Sequence, residues 1–527
     1  MTSAGAVVAE QAAGPPVPAF GGTYVEGVTG VPQYLNPIIA ATSLDQDVAQ
    51  LAFSGLTRFG RRGEIEADLA SSFRLESEGR VWIFEIRPDA TWHDGRPVSA
   101  DDVVYTVRLL QDPAYVGPYA EAFRGVIVER IAARTVRFEL PDGFGPFGAS
   151  TTAPLLPSHI LGGTPYAGLA AAPFNIAPVG TGPFRVSEVG AQQVTLVRND
   201  DFYRSKPGRS RPYLDRIVLR HYVDASAALA ALARGEIDGV GGLTENEADR
   251  ARGLPNVALY SLPTSDFTAL FLNLRPEKAQ FRERVVRQAI ATAIDRGRIL
   301  TAAAGGRGVV ADSFVPRTSW AYVDDIPRFA HDPREAREML DGADWIDHDG
   351  DGVRDKDGVA LSFSVSTSDE PARIAAGRRV VEDLRDVGMD VRLRSVPFAE
   401  LVDGVARTRS FDALVLGITV GGDPDPYPFF HSQQVADPGY NFSGYSTLPL
   451  DRNLEAARRA FDRDERRNLY APVFEAIATE VPVVFLYFSD YLYAQARTVQ
   501  GQKIAPVSDP TQRFWDVQDW YVRTERR

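Results

Sequence analysis

"PARIAAGRRVVEDLRDVGMDVRLRSV", residues 371–396, holds two structural periods in one stretch: a helix opened by Pro371 and stopped at Gly388, then a strand from Met389 onward. A helix that passes straight into a strand is the building unit of an α/β layer. The same alternation extends on both sides. Upstream, "FLNL" after Thr268 leads into a helix whose Phe281, Val285, Val286, Ala289, Ile290, Ala293 and Ile294 recur every three or four residues, an apolar stripe that packs on a sheet. Asp332 and Pro333 start another helix, ending near Gly342. Downstream, "PVVFLYF" reads as a buried strand, followed by a tail containing Trp515, Trp520 and Tyr521.

The N-terminal third reads differently. In "RVWIFEIRP", Trp82, Phe84 and Ile86 lie on one face of a strand, and "TVRFELP" repeats the pattern with Val136, Phe138 and Leu140. Between them Ser99 caps a helix with Asp101 and Asp102 in its first turn. This region is expected to be a compact α+β subdomain. Beyond "GTGPFRV", strands at Val194 to Arg198 and Ile217 to Arg220 precede a helix from Ser226 that Gly235 ends, and Ile237 is expected to begin a short strand.

With 527 residues, one core is not enough, so two or three lobes are expected. A formal net charge of -13 repels phosphate, which argues against nucleic acid as a partner. The chain has no cysteine, which excludes disulfides, thiolate chemistry and cysteine-ligated metal. The apolar run Val483 to Tyr487 is far short of the ~20 residues a membrane helix needs. Residues 1–20 lack a basic start and a sustained apolar segment; their Ala/Gly/Pro composition reads as a flexible tether such as follows a removed export signal.

HExxH, GxSxG and P-loop patterns are absent, and the six histidines show no metal-ligand spacing. "DHDGDGVRDKDG" places Asp347, Asp349, Asp351 and Asp355 at positions one, three, five and nine of a calcium-type loop, with Gly352 sixth and the Val353 carbonyl seventh. Position twelve is Gly358 rather than glutamate. A structural calcium and a plain Asp/Gly turn both account for these letters, and no other cofactor is expected. In "GGDPDPYPFFHS", Asp423 and Asp425 precede Tyr427 in a proline-stiffened loop. This pattern suits an amine-bearing ligand and equally an exposed turn.

The order of these segments is similar to that of the extracytoplasmic solute-binding proteins of family 5, the peptide/nickel/opine receptors of ABC importers. The resemblance rests on "YLNP" at Tyr34, "WHDGRPVSADDVVYT" at Trp92, "LLPSHIL" at Leu155, "GTGPFRV" at Gly180, "LVRNDDFY" at Leu196, "RGEIDG" at Arg234, "VRQAIATAIDR" at Val286, "GDPDPYPFF" at Gly422 and "NFSGYS" at Asn441. It implies a class II periplasmic-binding-protein fold, α/β, with two lobes joined by two hinge crossings near Ser265 and Phe485. Lobe I would comprise 21–53, 170–263 and 487–527, with 54–169 as its inserted α+β subdomain; lobe II would be 264–486.

By the same resemblance the chain is a monomeric receptor outside the cytoplasmic membrane, lipid-anchored or secreted. It would capture a small solute, with a peptide or other amine-bearing compound first and an oligosaccharide or opine-like compound as the alternative, and deliver it to ABC permease subunits. A secreted hydrolase and a peptide-presenting scaffold are the competing classes. The candidate ligand-binding residues are Glu26, Val28 and Thr29 from lobe I, Asp423, Asp425 and Tyr427 from the lobe II loop, and Tyr487 from the last strand. This sequence departs from the peptide-receptor pattern in one place. Ile418 stands where a tryptophan is usual, and Gly421 or Gly422 where the amine-binding aspartate is usual. Nickel is disfavoured because only His431 lies near that loop.

Overall fold

The computed structural model describes residues 17–61, 63–204, 206 and 209–525. The tether expected over residues 1–20 lies outside them up to residue 16, and its last residues are not a tether. Residues Val17–Ala19 form a strand paired antiparallel with Arg523–Glu525.

One eleven-stranded mixed sheet runs through the molecule. On one side lie Thr23–Thr29, Arg216–Tyr222, Gln193–Arg198 and Phe184–Val189; on the other lie Ala413–Ile418, Ser362–Ser368 and Asp390–Val396. Two long antiparallel strands, Val257–Leu272 and Val483–Ala496, belong to both. Their register breaks between Pro263 and Phe267, opposite Asp490 and Phe488. Pro263 has no N–H to give the ladder. Instead the Thr264 hydroxyl donates to the Ser489 carbonyl at 2.7 Å, and Thr264 Oγ1 accepts from the Asp266 N–H at 3.1 Å. A bulged, side-chain-bridged pair of strands is a natural pivot.

Each side packs its own core. Val48, Leu51, Phe84, Leu196 and Trp520 belong to one, while Leu270, Ile290, Val380 and Leu486 belong to another beyond the pivot. The N-terminal subdomain is a four-stranded sheet containing Val81–Ile86 and Thr135–Glu139, as read from the sequence, with the helix Ala100–Leu110 on it. Asp102 organises that helix start. Its carboxylate accepts from the Ser99 N–H at 2.8 Å, from the Trp92 indole at 3.2 Å and from Ser158 N–H at 2.8 Å. The strand expected from Ile237 begins at Gly239, and Asp238 just before it ties in the strand at Val25, its carboxylate accepting from the Val25 N–H at 2.8 Å.

"GTGPFRV" is a docking element between subdomain and sheet. A side chain at Gly180 would lie 1.8 Å from the Ala52 carbonyl oxygen, so only glycine permits the approach. His93 completes the joint: its Nδ1 accepts from the Gly180 N–H and its Nε2–H donates to the Gly182 carbonyl, both at 3.1 Å. Burial lowers the His93 pKa to about 4. Because the unfolded chain protonates near 6.5 and the native state does not, the joint's stabilisation is complete above pH 6.5 and is lost as the pH falls to about 4, by up to ~3 kcal/mol. An NMR titration should show one histidine neutral down to pH 5, and that resonance should vanish in His93→Gln.

The two sides also touch away from the pivot. Gly145 N–H donates to the Arg458 carbonyl at 2.6 Å, Arg463 donates to the Gly63 carbonyl, and the Phe461 ring lies tilted against Trp82, with centroids 6.1 Å apart. Arg307 pairs with Glu245 and with Asp249.

Candidate functional site

A solvent-open space of about 720 Å³ lies where the two sides meet. Phe59, Arg61 and Ser508 line it from the first side, Ser265 from the pivot, and Trp320, Val420 and Gly422 from the second. A second space of about 570 Å³ shares Phe59, Arg61 and Val507 and extends to Tyr260, Tyr493 and Trp520. Gly422 faces Phe59 so closely that a Cβ there would sit 2.2 Å from the ring. Gly422 is therefore a point at which the walls approach.

The acids of the neighbouring loop are committed inside their own side. Asp423 accepts two hydrogen bonds from Arg466, each 2.7 Å, and that guanidinium also donates to the Tyr470 hydroxyl at 2.8 Å. Burial works against the charge of Arg466, but the hydrogen bonds and charge of Asp423 outweigh it and hold the guanidinium well above its ordinary range. Asp425 accepts from Arg458 at 2.7 Å, and Arg458 lies 3.6 Å over the Tyr427 ring, which stacks on His431. Burial raises the Asp425 carboxyl despite Arg458, and the nearby Asp423 charge adds to the rise. Asp423, Asp425 and Tyr427 thus form one packed corner, each acid with its own arginine.

Glu26 is fully buried. It accepts from Arg513 Nε at 3.1 Å, from the Tyr493 hydroxyl at 3.1 Å, and from Tyr24. Arg513 also forms a two-pronged pair with Asp47, at 2.8 and 2.6 Å. Burial raises both carboxyls, with Arg513 opposing it. Val28 is buried in the strand beside His221, and Thr29, beside Tyr222, is exposed at its end. Tyr487 is buried across the pivot from these; its hydroxyl accepts from Arg373 Nη1 at 3.0 Å, which also donates to Thr268 at 2.6 Å.

In the acidic turn, ligand oxygens of Asp347, Asp349 and Asp355 come within 4.8 Å of one another, and Asp351 is not in that group. Their oxygens already accept from the turn's own backbone. Asp347 takes Gly350 and Gly352 N–H at 2.7 and 3.0 Å, Asp351 takes Val353 N–H at 2.8 Å, and Asp355 takes His348 N–H at 2.9 Å. Titration with calcium is expected to leave the melting temperature unchanged; a saturable rise would assign the loop a structural ion.

Two groups at the pivot escape sequence reading. Asp266 follows the cavity-lining Ser265, and its Oδ1 is shielded from solvent without a hydrogen-bond partner. Arg373 reaches the same pivot from the helix quoted at the outset. Neither stands in a motif. Only the pairing of the two long strands brings them to the junction.

Residues 64–441 match the family model described as bacterial extracellular solute-binding proteins, family 5 Middle. The chain is 30% identical to the oligopeptide-binding protein AppA of Bacillus subtilis, over 96% of this chain and 92% of that one. The solved AppA structure, in complex with a nonapeptide, superposes with a TM-score of 0.75 at 29% identity, covering 96% of this chain and all of the other. NikZ from Campylobacter jejuni, solved with Ni(L-His), superposes with a TM-score of 0.75 at 26% identity, covering 95% and 99%.

Proposed function

This chain belongs to the bacterial extracellular solute-binding proteins of family 5, and from that premise we propose that its solute is a peptide, held between the two sides of the sheet and passed to an ABC permease. Receptor and permease partnership follow from the family; the peptide is suggested by the oligopeptide receptor that aligns with nearly the whole chain. The carrying observation is the solvent-open space lined from both sides and from the pivot. Rotation about the paired strands would open and shut this space.

Glu26, Val28, Thr29, Asp423, Asp425, Tyr427 and Tyr487 then act in two ways. Thr29 offers an exposed strand end to an extended ligand, while the acids and tyrosines hold the walls. No catalysis is proposed: Asp423 and Asp425 are each held in an ion pair with an arginine. The family is extracellular, and among the described residues no helix is long and apolar enough to cross a membrane. Anchoring by lipid upstream of residue 21 is part of the same proposal.

The test is mass spectrometry of solute released from the purified protein, followed by incubation with that solute. Recovery of intact peptide is expected. Recovery of a sugar, or turnover of the peptide into products, would overturn the reading.

A further inference from the structure

We infer that Asp266, at the pivot, is the residue that takes the cationic end of the solute, in place of the acids of the 422–430 loop; the inference rests on the peptide-receptor reading. An amine buried between two closing walls needs a carboxylate whose hydrogen-bonding capacity is still open. Four other acids near the junction have already used theirs, and Asp509 spends Oδ1 on the Thr511 N–H and hydroxyl. Asp423 is closed by Arg466 on both oxygens, Asp425 by Arg458 and the Tyr427 N–H, and Glu26 and Asp47 share Arg513.

Asp266 differs in place and in partners. It sits in the register break of the two crossing strands, directly after Ser265, which lines the 720 Å³ space. Phe267 pairs with Ile418, so Asp266 stands level with Thr419, where the second wall begins its run through Val420, Gly421 and Gly422. The carboxylate hydrogen-bonds with the Thr419 side chain, while its Oδ1 is out of solvent with no hydrogen-bond partner. A buried acceptor left open costs stability unless something fills it, and such exceptions in native structures carry a reason. Burial raises the Asp266 carboxyl, the Thr419 hydrogen bond lowers it, Asp509, which follows the lining residue Ser508, adds to the rise, and Arg373 lowers it. A ligand ammonium would satisfy the open oxygen and offset the repulsion from Asp509.

The register break gives this position a second property. Because Asp266 lies on the segment where the sides pivot, an amine bound there would bridge the moving walls rather than decorate one of them.

The experiment offers full-length protein a mixed library of peptides two to nine residues long, free or acetylated at the amino terminus. Retained species are counted by mass spectrometry for wild type and for Asp266→Asn, which keeps size and shape. Wild type should prefer free over acetylated peptides by about tenfold to a hundredfold, the worth of one charge-assisted hydrogen bond. Asp266→Asn should reduce that preference to about parity while still retaining peptides. Retention of both classes with an unchanged preference in Asp266→Asn would overturn the inference and leave the receptor reading standing. Retention of no peptide by wild type would overturn the receptor reading itself, and the inference with it. Asp266→Glu, which restores the charge, should recover part of the preference; failure to do so with a normal melting temperature would also count against the assignment.

Discussion

Arg513→Met should cost the protein about 3–5 kcal/mol at neutral pH, because it strands two carboxylates in a dry site. Arg513 is the only partner named here that neutralises both Glu26 and Asp47, through distances of 3.1, 2.8 and 2.6 Å. Burial alone already holds both carboxyls above the usual carboxylate range. A carboxyl whose folded pKa is raised stabilises the fold below its unfolded pKa, and that stabilisation is lost as the pH rises through the folded value. Losing Arg513 raises both further, so the variant's deficit should be largest near pH 7 and should shrink as the pH approaches 4. Urea unfolding of wild type and variant at several pH values measures this. Arg513→Lys, which keeps the charge but not the two-pronged geometry, should fall between them. A deficit that grew with acidity would refute the ion-pair account.

The second large effect lies at the cleft loop. Arg466→Met or Asp423→Ala should each lose about 3–5 kcal/mol, since each leaves a largely buried charge without its partner. Asp423→Leu combined with Arg466→Met should lose less than the sum of those two single changes, with a coupling of about 1–3 kcal/mol in a double-mutant cycle. If Asp423 were instead the ligand's amine anchor, Asp423→Asn would leave folding intact and weaken only the binding of free peptides. Thermal melting beside the library assay separates the two, and an unperturbed melting temperature in Arg466→Met and Asp423→Ala would contradict the structural role. Some binding loss should accompany the unfolding even so, because Asp423 adjoins Gly422, which lies against Phe59.

How much of this the sequence contained depends on range. Local pattern sufficed for the Ser99 cap, the helix beginning at Pro371 and the strands at Val81–Ile86 and Thr135–Glu139, because each is decided within a few residues. The ordered landmarks sufficed for the family. "GTGPFRV" could be recognised but not explained, since the reason for its first glycine is the Ala52 carbonyl, far away in the chain. The chemistry of the acids was hidden for the same reason. Asp423 looks free beside its prolines until Arg466 arrives from a helix over forty residues on, and Glu26 looks like a loop acid until Arg513 closes over it from the C-terminal tail.

The strand Val257–Leu272 was the hardest to read. Its second half, from Phe267 to Leu272, is buried on both faces and shows no alternation, while its first half contains a proline and a bulge. Only its partner, Val483–Ala496, makes it continuous. The resemblance placed a hinge near Ser265, but Asp266 beside it has no local signature.

The central claim is that the two sides of the sheet turn about this pivot and close on a small solute. Small-angle X-ray scattering, recorded on purified protein stripped of solute and again after saturation with the peptide recovered from it, tests that claim most directly. The account predicts a smaller radius of gyration and a shorter maximum dimension with peptide bound. Saturation without any change in the scattering curve would contradict it.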